Sequence, residues 1–166
     1  MRIYLMRHAD AVAPGEWRES DRSRPLSTIG ASLLSNSVED MRRLRLTADT
    51  LLTSPFVRAE QTAAALSDQL HITQTVRAPE LASGARLPAF LALLARYQNA
   101  ETLWIVAHMP EICSFAARLT GDPKALETPF NPAEMIAVDC DIVDGEIRAG
   151  RLVWRRRLED WLTASA

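Results

Sequence analysis

Lysine is almost missing from this chain: Lys124 is the only one among 19 basic residues, and the rest are arginine. That skew reads as compositional bias, so an arginine here argues for function by its position and not by its type. Cysteine is scarce too. Cys113 and Cys140 form no C-x-x-C and no paired metal spacing, which excludes a disulfide framework and leaves two ordinary buried thiols in a reducing compartment. The three histidines, His8, His71 and His108, form no H-E-x-x-H or other local ligand pair, so no metal and no cofactor is expected. No apolar run approaches the roughly 20 residues that span a bilayer, and the amino terminus lacks a basic, apolar, small-residue signal pattern. A cytoplasmic protein with no membrane association is expected. The net charge of −2 gives no global attraction to nucleic acid, so any anion binding must be local. The basic run 155–157, flanked by Trp154 and Trp161, reads as a solvated strand end beside a terminal helix.

What is present is an average globular composition, 48% apolar and 24% charged over 166 residues, enough for one domain spanning residues 1–166. Apolar runs and breakers alternate. A strand over 2–6 leads into a polar loop over 10–25, and apolar residues at helical spacing then predict a helix over 28–45. A second strand near 49–53 runs into S-P-F-V-R-A-E-Q-T-A, where Ser54 suits an N-cap and Pro55 a first helical position, predicting a helix to about residue 70. A short strand near Thr75 and a helix beginning near Pro88 follow. The stretch E-T-L-W-I-V-A-H-M-P-E-I-C repeats the order strand, turn, proline, helix. Two antiparallel strands, joined by a turn within D-G-E-I-R-A-G, close the pattern. These elements predict an α/β fold: a three-layer α/β/α sandwich with a mostly parallel central sheet and an antiparallel strand or two.

In such sheets ligands bind beyond the carboxyl ends of the strands. Strand one ends on Arg7 and His8, strand two leads to Ser54 and Arg58, and a later strand ends on His108. A lone histidine at a strand end is ordinarily a hydrogen-bonded structural residue, and arginines in first helical turns are often merely solvated. Two arginines and two histidines converging on one rim would repel one another without an anion between them, and a phosphoryl group fits that need.

R-H-A-D-A, S-P-F-V-R-A-E-Q-T-A and V-A-H-M-P, in this order, resemble the histidine phosphatase, or phosphoglycerate mutase-like, superfamily. D-R-S-R-P-L-S-T-I-G is similar to the loop and helix start of its short SixA-type phosphohistidine phosphatase branch. Ala9 stands where the superfamily usually has glycine, adding a methyl near the phosphate, and Ala107 and Met109 also depart from its pattern.

The resemblance implies a phosphoglycerate mutase-like fold and a metal-independent phosphatase with His8 as nucleophile. Arg7, Arg58 and a protonated His108 would bind the phosphoryl oxygens, with Arg24 and Ser54 as further substrate-binding candidates. Cations flanking His8 would keep it neutral, and an unidentified carbonyl or carboxylate would orient its other ring nitrogen. Asp21 is the first candidate for the proton donor and Glu80 the second. Only 49 residues separate Arg58 from His108, too few for a large lid insertion. A labile P–N bond needs less acid assistance than an ester, so the reading is dephosphorylation of phosphohistidine on a partner protein domain, with inorganic phosphate as product. A small-molecule phosphomonoesterase and a phosphate- or phosphopeptide-binding module weakened by Ala9 are the alternatives.

Overall fold

The computed structural model describes residues 1–143 and 146–162. Six strands form one sheet in the order β3-β2-β4-β1-β5-β6, with β1 at Arg2–Arg7, β2 at Thr50–Thr53, β3 at Thr75–Arg77 and β4 at Thr102–Ala107. These four run parallel, whereas β5 at Met135–Val143 is antiparallel to β1 and to β6 at Glu146–Arg156. The helices are α1 at Thr28–Arg43, α2 at Val57–Leu70, α3 at Leu87–Ala95, α4 at Glu111–Thr120 and α5 at Leu158–Leu162. Among the described residues no helix is long and apolar enough to cross a membrane.

Period-two alternation along β1 assigns the two faces of the sheet. Ile3 and Leu5 pack with Phe90 and Leu93 of α3 and with Ile112 and Phe115 of α4, whereas Tyr4 and Met6 pack with Leu34 and Val38 of α1 and Leu66 of α2. Trp161 of α5 is fully buried on that second face. The predicted three-layer α/β/α architecture is therefore the observed one.

Several boundaries differ from expectation. The first helix stops at Arg43 because Arg45 takes the left-handed backbone region, at φ 55°. The second begins at Val57 behind a Phe56 cap and not at Ser54, whose hydroxyl lies 2.6 Å from His108 Nε2. Residues 146–150 belong to β6 and not to the expected turn, of which Asp144 and Gly145 lie outside the described residues. The run 155–157 is not simply solvated. Arg155 pairs with the buried Glu134, the Arg156 guanidinium lies 4.6 Å from the Trp161 ring centre, and Arg157 meets Glu159. Cys113 and Cys140 are free and buried, and burial raises both thiol pKa values, that of Cys140 to about 11.

The loop after β1 is fastened to α1 at one point of close approach. Ser27 caps α1 by accepting from Gly30 N–H at 2.9 Å, donates its own hydroxyl to Asp10 Oδ2 at 2.7 Å, and donates its backbone N–H to the Asp10 carbonyl. A Cβ on Gly30 would lie 2.2 Å from that carbonyl oxygen. Helix propensity alone makes Gly30→Ala stabilising by up to about 1 kcal/mol. The clash predicts the opposite sign: thermal unfolding should show a loss of roughly 1–3 kcal/mol. A raised melting temperature would refute this account of the loop.

Candidate active site

The parallel strands β2, β4 and β1 are neighbours, so their carboxyl ends share one rim. There a cleft of about 390 Å³ is lined by Arg7, His8, Asp10, Arg24, Arg58 and His108, with Ala11, Ala13, Pro14, Met109 and Pro132. Because β5 runs the other way, its start and the 130–134 turn before it reach the same rim.

His8 is held at both ring nitrogens. Nδ1 lies 2.7 Å from the Ala9 carbonyl oxygen, which can only accept, so Nδ1 carries the proton. Nε2 then bears the lone pair and accepts from Arg58 Nε–H at 3.2 Å. The ring is buried. That burial pushes the imidazole down to about 4; the Ala9 hydrogen bond opposes the shift, and the charges of Arg58, Arg7 and Arg24 add to it. The expected neutral His8 is therefore explained by desolvation first and by flanking cations second. The orienting acceptor that sequence left open is a main-chain carbonyl.

Ala9 itself does not face the cleft. Its methyl packs into the apolar cluster between the sheet and α1 and α2, and its backbone does not enter the left-handed region that demands glycine. The expected intrusion of this methyl on a bound phosphate is corrected. The Ala9 N–H donates to Thr62 Oγ1 at 3.1 Å, and Thr62 donates to the Arg58 carbonyl at 2.8 Å. One buried hydroxyl thus ties the loop bearing His8 to the helix bearing Arg58. The neighbouring Gln61 carbonyl oxygen accepts from Leu26 N–H at 2.7 Å, fastening the α1 approach to the same helix.

Arg58 reaches Asp21 as well as His8, donating from Nη1 to the Asp21 carbonyl at 2.7 Å and from Nη2 to Oδ2 at 3.0 Å. Arg24 donates from Nε to Asp21 Oδ1 at 2.8 Å and from Nη1 to the Val12 carbonyl at 2.7 Å. Partial burial raises the Asp21 carboxyl, but the hydrogen bonds and charges of Arg24 and Arg58 outweigh it and hold the group below the ordinary carboxylate range. Asp21 is thus an ionised clamp between two arginines, which corrects its assignment as proton donor. Glu80 pairs with Arg96 at 2.7 Å and is not among the residues lining the cleft, so the second candidate is displaced too.

His108 sits with its ring centre 5.0 Å from that of His8. Burial, then His8 and Arg58, push it down to about 3. His108 is therefore held neutral here and is not the imidazolium that was expected. Its Nε2 lies 2.6 Å from Ser54 Oγ, and that oxygen already accepts from Phe56 N–H at 3.3 Å. With the Ser54 hydroxyl proton donated to Nε2, the ring is the tautomer that carries its N–H on Nδ1. Ser54 lies behind His108 and is absent from the cleft lining, so it positions that ring and does not touch a ligand.

Two buried nitrogens in this cluster, Arg7 Nε and His108 Nδ1, have no hydrogen-bond partner among the described residues. Buried polar atoms are ordinarily paired, and an unpaired one costs about 1–3 kcal/mol. Both residues line the cleft, and a tetrahedral anion between them would supply the acceptors.

Behind Arg7 stands a second layer that sequence did not reveal. Arg7 Nη1 donates to the Phe130 carbonyl at 2.6 Å, and Ala133, in the left-handed region at φ 58°, donates its N–H to the His8 carbonyl. The buried Glu134 holds this turn, accepting from Arg155 and from both nitrogens of Asn131. Asp10 was also passed over as a site residue, although it lies two positions after His8. Among the described residues no group of three His, Cys, Asp or Glu side chains could hold a metal ion.

A family model described as the histidine phosphatase superfamily (branch 1) matches residues 3–84. An uncharacterized protein of Picosynechococcus is 33% identical over 118 residues, covering 70% of this chain and 71% of that protein. Phosphohistidine phosphatase SixA of Escherichia coli K12 is 28% identical over 144 residues, covering 85% and 86% of the two chains. The solved structure of the protein histidine phosphatase SixA complexed with tungstate superposes with a TM-score of 0.83 at 25% identity, covering 96% of this chain and 99% of that one.

The depressed histidines make a direct prediction. Imidazole NMR titration of the free protein should place the midpoints of His8 and His108 below pH 5. A folded value below the unfolded one, about 6.5, means that the unfolded chain takes up protons first. The stability these two histidines give should therefore fall as pH drops below about 6.5, down to about 4 for His8 and about 3 for His108. A His8 midpoint at or above 6.5 contradicts the description.

Proposed function

This chain belongs to the histidine phosphatase superfamily and is a phosphatase, and we propose that its substrate is phosphohistidine on another protein. The observation carrying this reading is the engagement of Asp21 by two guanidiniums. A phosphate ester leaves as a basic alkoxide and depends on a positioned acid, whereas the imidazole of a phosphoramidate leaves without one. The resemblance to a phosphohistidine phosphatase over 85% of the chain supports the same choice. The short segment between Arg58 and His108, with no lid insertion in a single domain, suits a side chain presented by a partner protein.

The proposed reaction runs in two steps. His8 Nε2 attacks phosphorus, the P–N bond of the substrate breaks, and its electron pair returns to the leaving ring nitrogen. The Ala9 carbonyl holds the Nδ1–H that becomes acidic as His8 takes on positive charge. Arg7, Arg58 and the Nδ1–H of His108 carry the phosphoryl oxygens, and Arg24 extends the cationic wall. Water then attacks the phosphoenzyme and releases inorganic phosphate, and the electron pair of the second P–N bond returns to Nε2. No step uses a metal ion, because guanidiniums supply the charge.

Incubating the purified protein with a histidine-phosphorylated domain and with a panel of phosphate esters tests the reading. The phosphohistidine domain should be dephosphorylated with kcat/KM at least about tenfold above any ester, and His8→Ala should abolish turnover. Hydrolysis of esters alone would establish a small-molecule phosphomonoesterase. Binding of inorganic phosphate without turnover of either class would establish a binding module.

A further inference from the structure

Asp10 is the one carboxylate among the residues lining the cleft, set in a wall that otherwise carries three arginines and two histidines. A carboxylate there works against the binding of a phosphoryl dianion, and its charge already acts on Arg7. Its position is not accidental to the loop. Ser27 fixes Oδ2, the Ser27 N–H fixes the backbone carbonyl, and the bare α-carbon of Gly30 makes room for that carbonyl. Anchoring alone uses one carboxylate oxygen, and Oδ1 takes no hydrogen bond among the described residues. Asp21 and Glu134 are each committed to arginines, so neither competes for the task.

Resting on the phosphohistidine reading above, we propose that Asp10 is the residue that selects for the leaving imidazole, accepting a hydrogen bond from the substrate ring nitrogen that does not carry phosphorus. A phosphoimidazole protonated at that remote nitrogen expels neutral imidazole when its P–N bond breaks. The electron pair goes to the ring, the proton stays on the remote nitrogen, and nothing must be delivered to the bridging atom. A carboxylate accepting from that N–H favours the protonated ring by a charge-assisted hydrogen bond. His8 is arranged the same way, with Nδ1–H on the Ala9 carbonyl and Nε2 toward phosphorus. Transfer then runs between two imidazoles, each oriented through its distal N–H by an oxygen from consecutive residues. In the second step the phosphorylated His8 is the protonated ring; water supplies one oxygen and both protons of dihydrogen phosphate, the P–N electron pair returns to Nε2, and neutral His8 returns. An alcohol leaving group has no distal N–H and gains nothing from Asp10.

The test is a specificity ratio, kcat/KM for a phosphohistidine peptide over kcat/KM for p-nitrophenyl phosphate. Asp10→Asn is isosteric, and its amide oxygen can still accept from Ser27. It should lower the ratio tenfold or more, on the order expected for a hydrogen bond to a charged group. Asp10→Glu, which keeps the carboxylate, should recover most of that loss. Thermal unfolding of each variant identifies any that fail to fold, and the ratio is taken from the folded one. A smaller change in the ratio for a folded Asp10→Asn overturns the assignment while leaving phosphohistidine phosphatase activity in place. Wild-type protein that leaves the peptide intact overturns the underlying reading, and this inference with it.

Discussion

Everything at this site follows from how one imidazole is pinned. A main-chain carbonyl fixes the proton of His8 on Nδ1, and the Arg58 guanidinium meets the lone pair on Nε2. Burial then keeps the ring neutral where a solvated histidine would share its charge with bulk water. The three conditions are separable in principle but not in this fold. The carbonyl is that of the next residue, the guanidinium arrives from α2, and both are tied together by Thr62.

The sheet supplies the convergence and the loops supply the precision. Parallel pairing of β1 with β4 and of β4 with β2 brings His8, His108 and Ser54 to one rim without any further design. Fixing their ring orientations takes more: Ser54 for His108, the Phe130 carbonyl for Arg7, and the Glu134 cluster for the turn that carries it. The buried Glu134 and Arg155 illustrate an ion pair whose value lies in placement. A pair of this kind contributes little net stability, yet losing one partner strands a buried charge.

The rim was legible because strands ending on Arg7-His8 and on His108 announce themselves by period-two apolar runs that stop on charged or titratable residues. The motif S-P-F-V-R-A-E-Q-T-A was legible as a whole, but the separate duties of its members were not. Gln61 and Thr62 act on residues 26 and 9, and contacts across such separations leave no local pattern. Ser54 was misread as a helix cap for the same reason, since its hydroxyl serves a histidine 54 positions away. Asp21 was misread because its type suggested an acid, whereas its two arginine partners, one of them 37 residues distant, hold its carboxyl below the ordinary carboxylate range. Ala9 looked like a lesion while only the chain was in view. The folded backbone turns its methyl into the core, away from the anion.

The central claim is that Nε2 of His8, and no other atom, receives the phosphoryl group. The most direct measurement traps the phosphoenzyme with phosphoramidate as donor, quenches in alkali and determines the phosphorylated atom by NMR of the modified histidine. The account predicts phosphorus on Nε2 of His8. Phosphorus on Nδ1, on His108, or on no residue at all would contradict it.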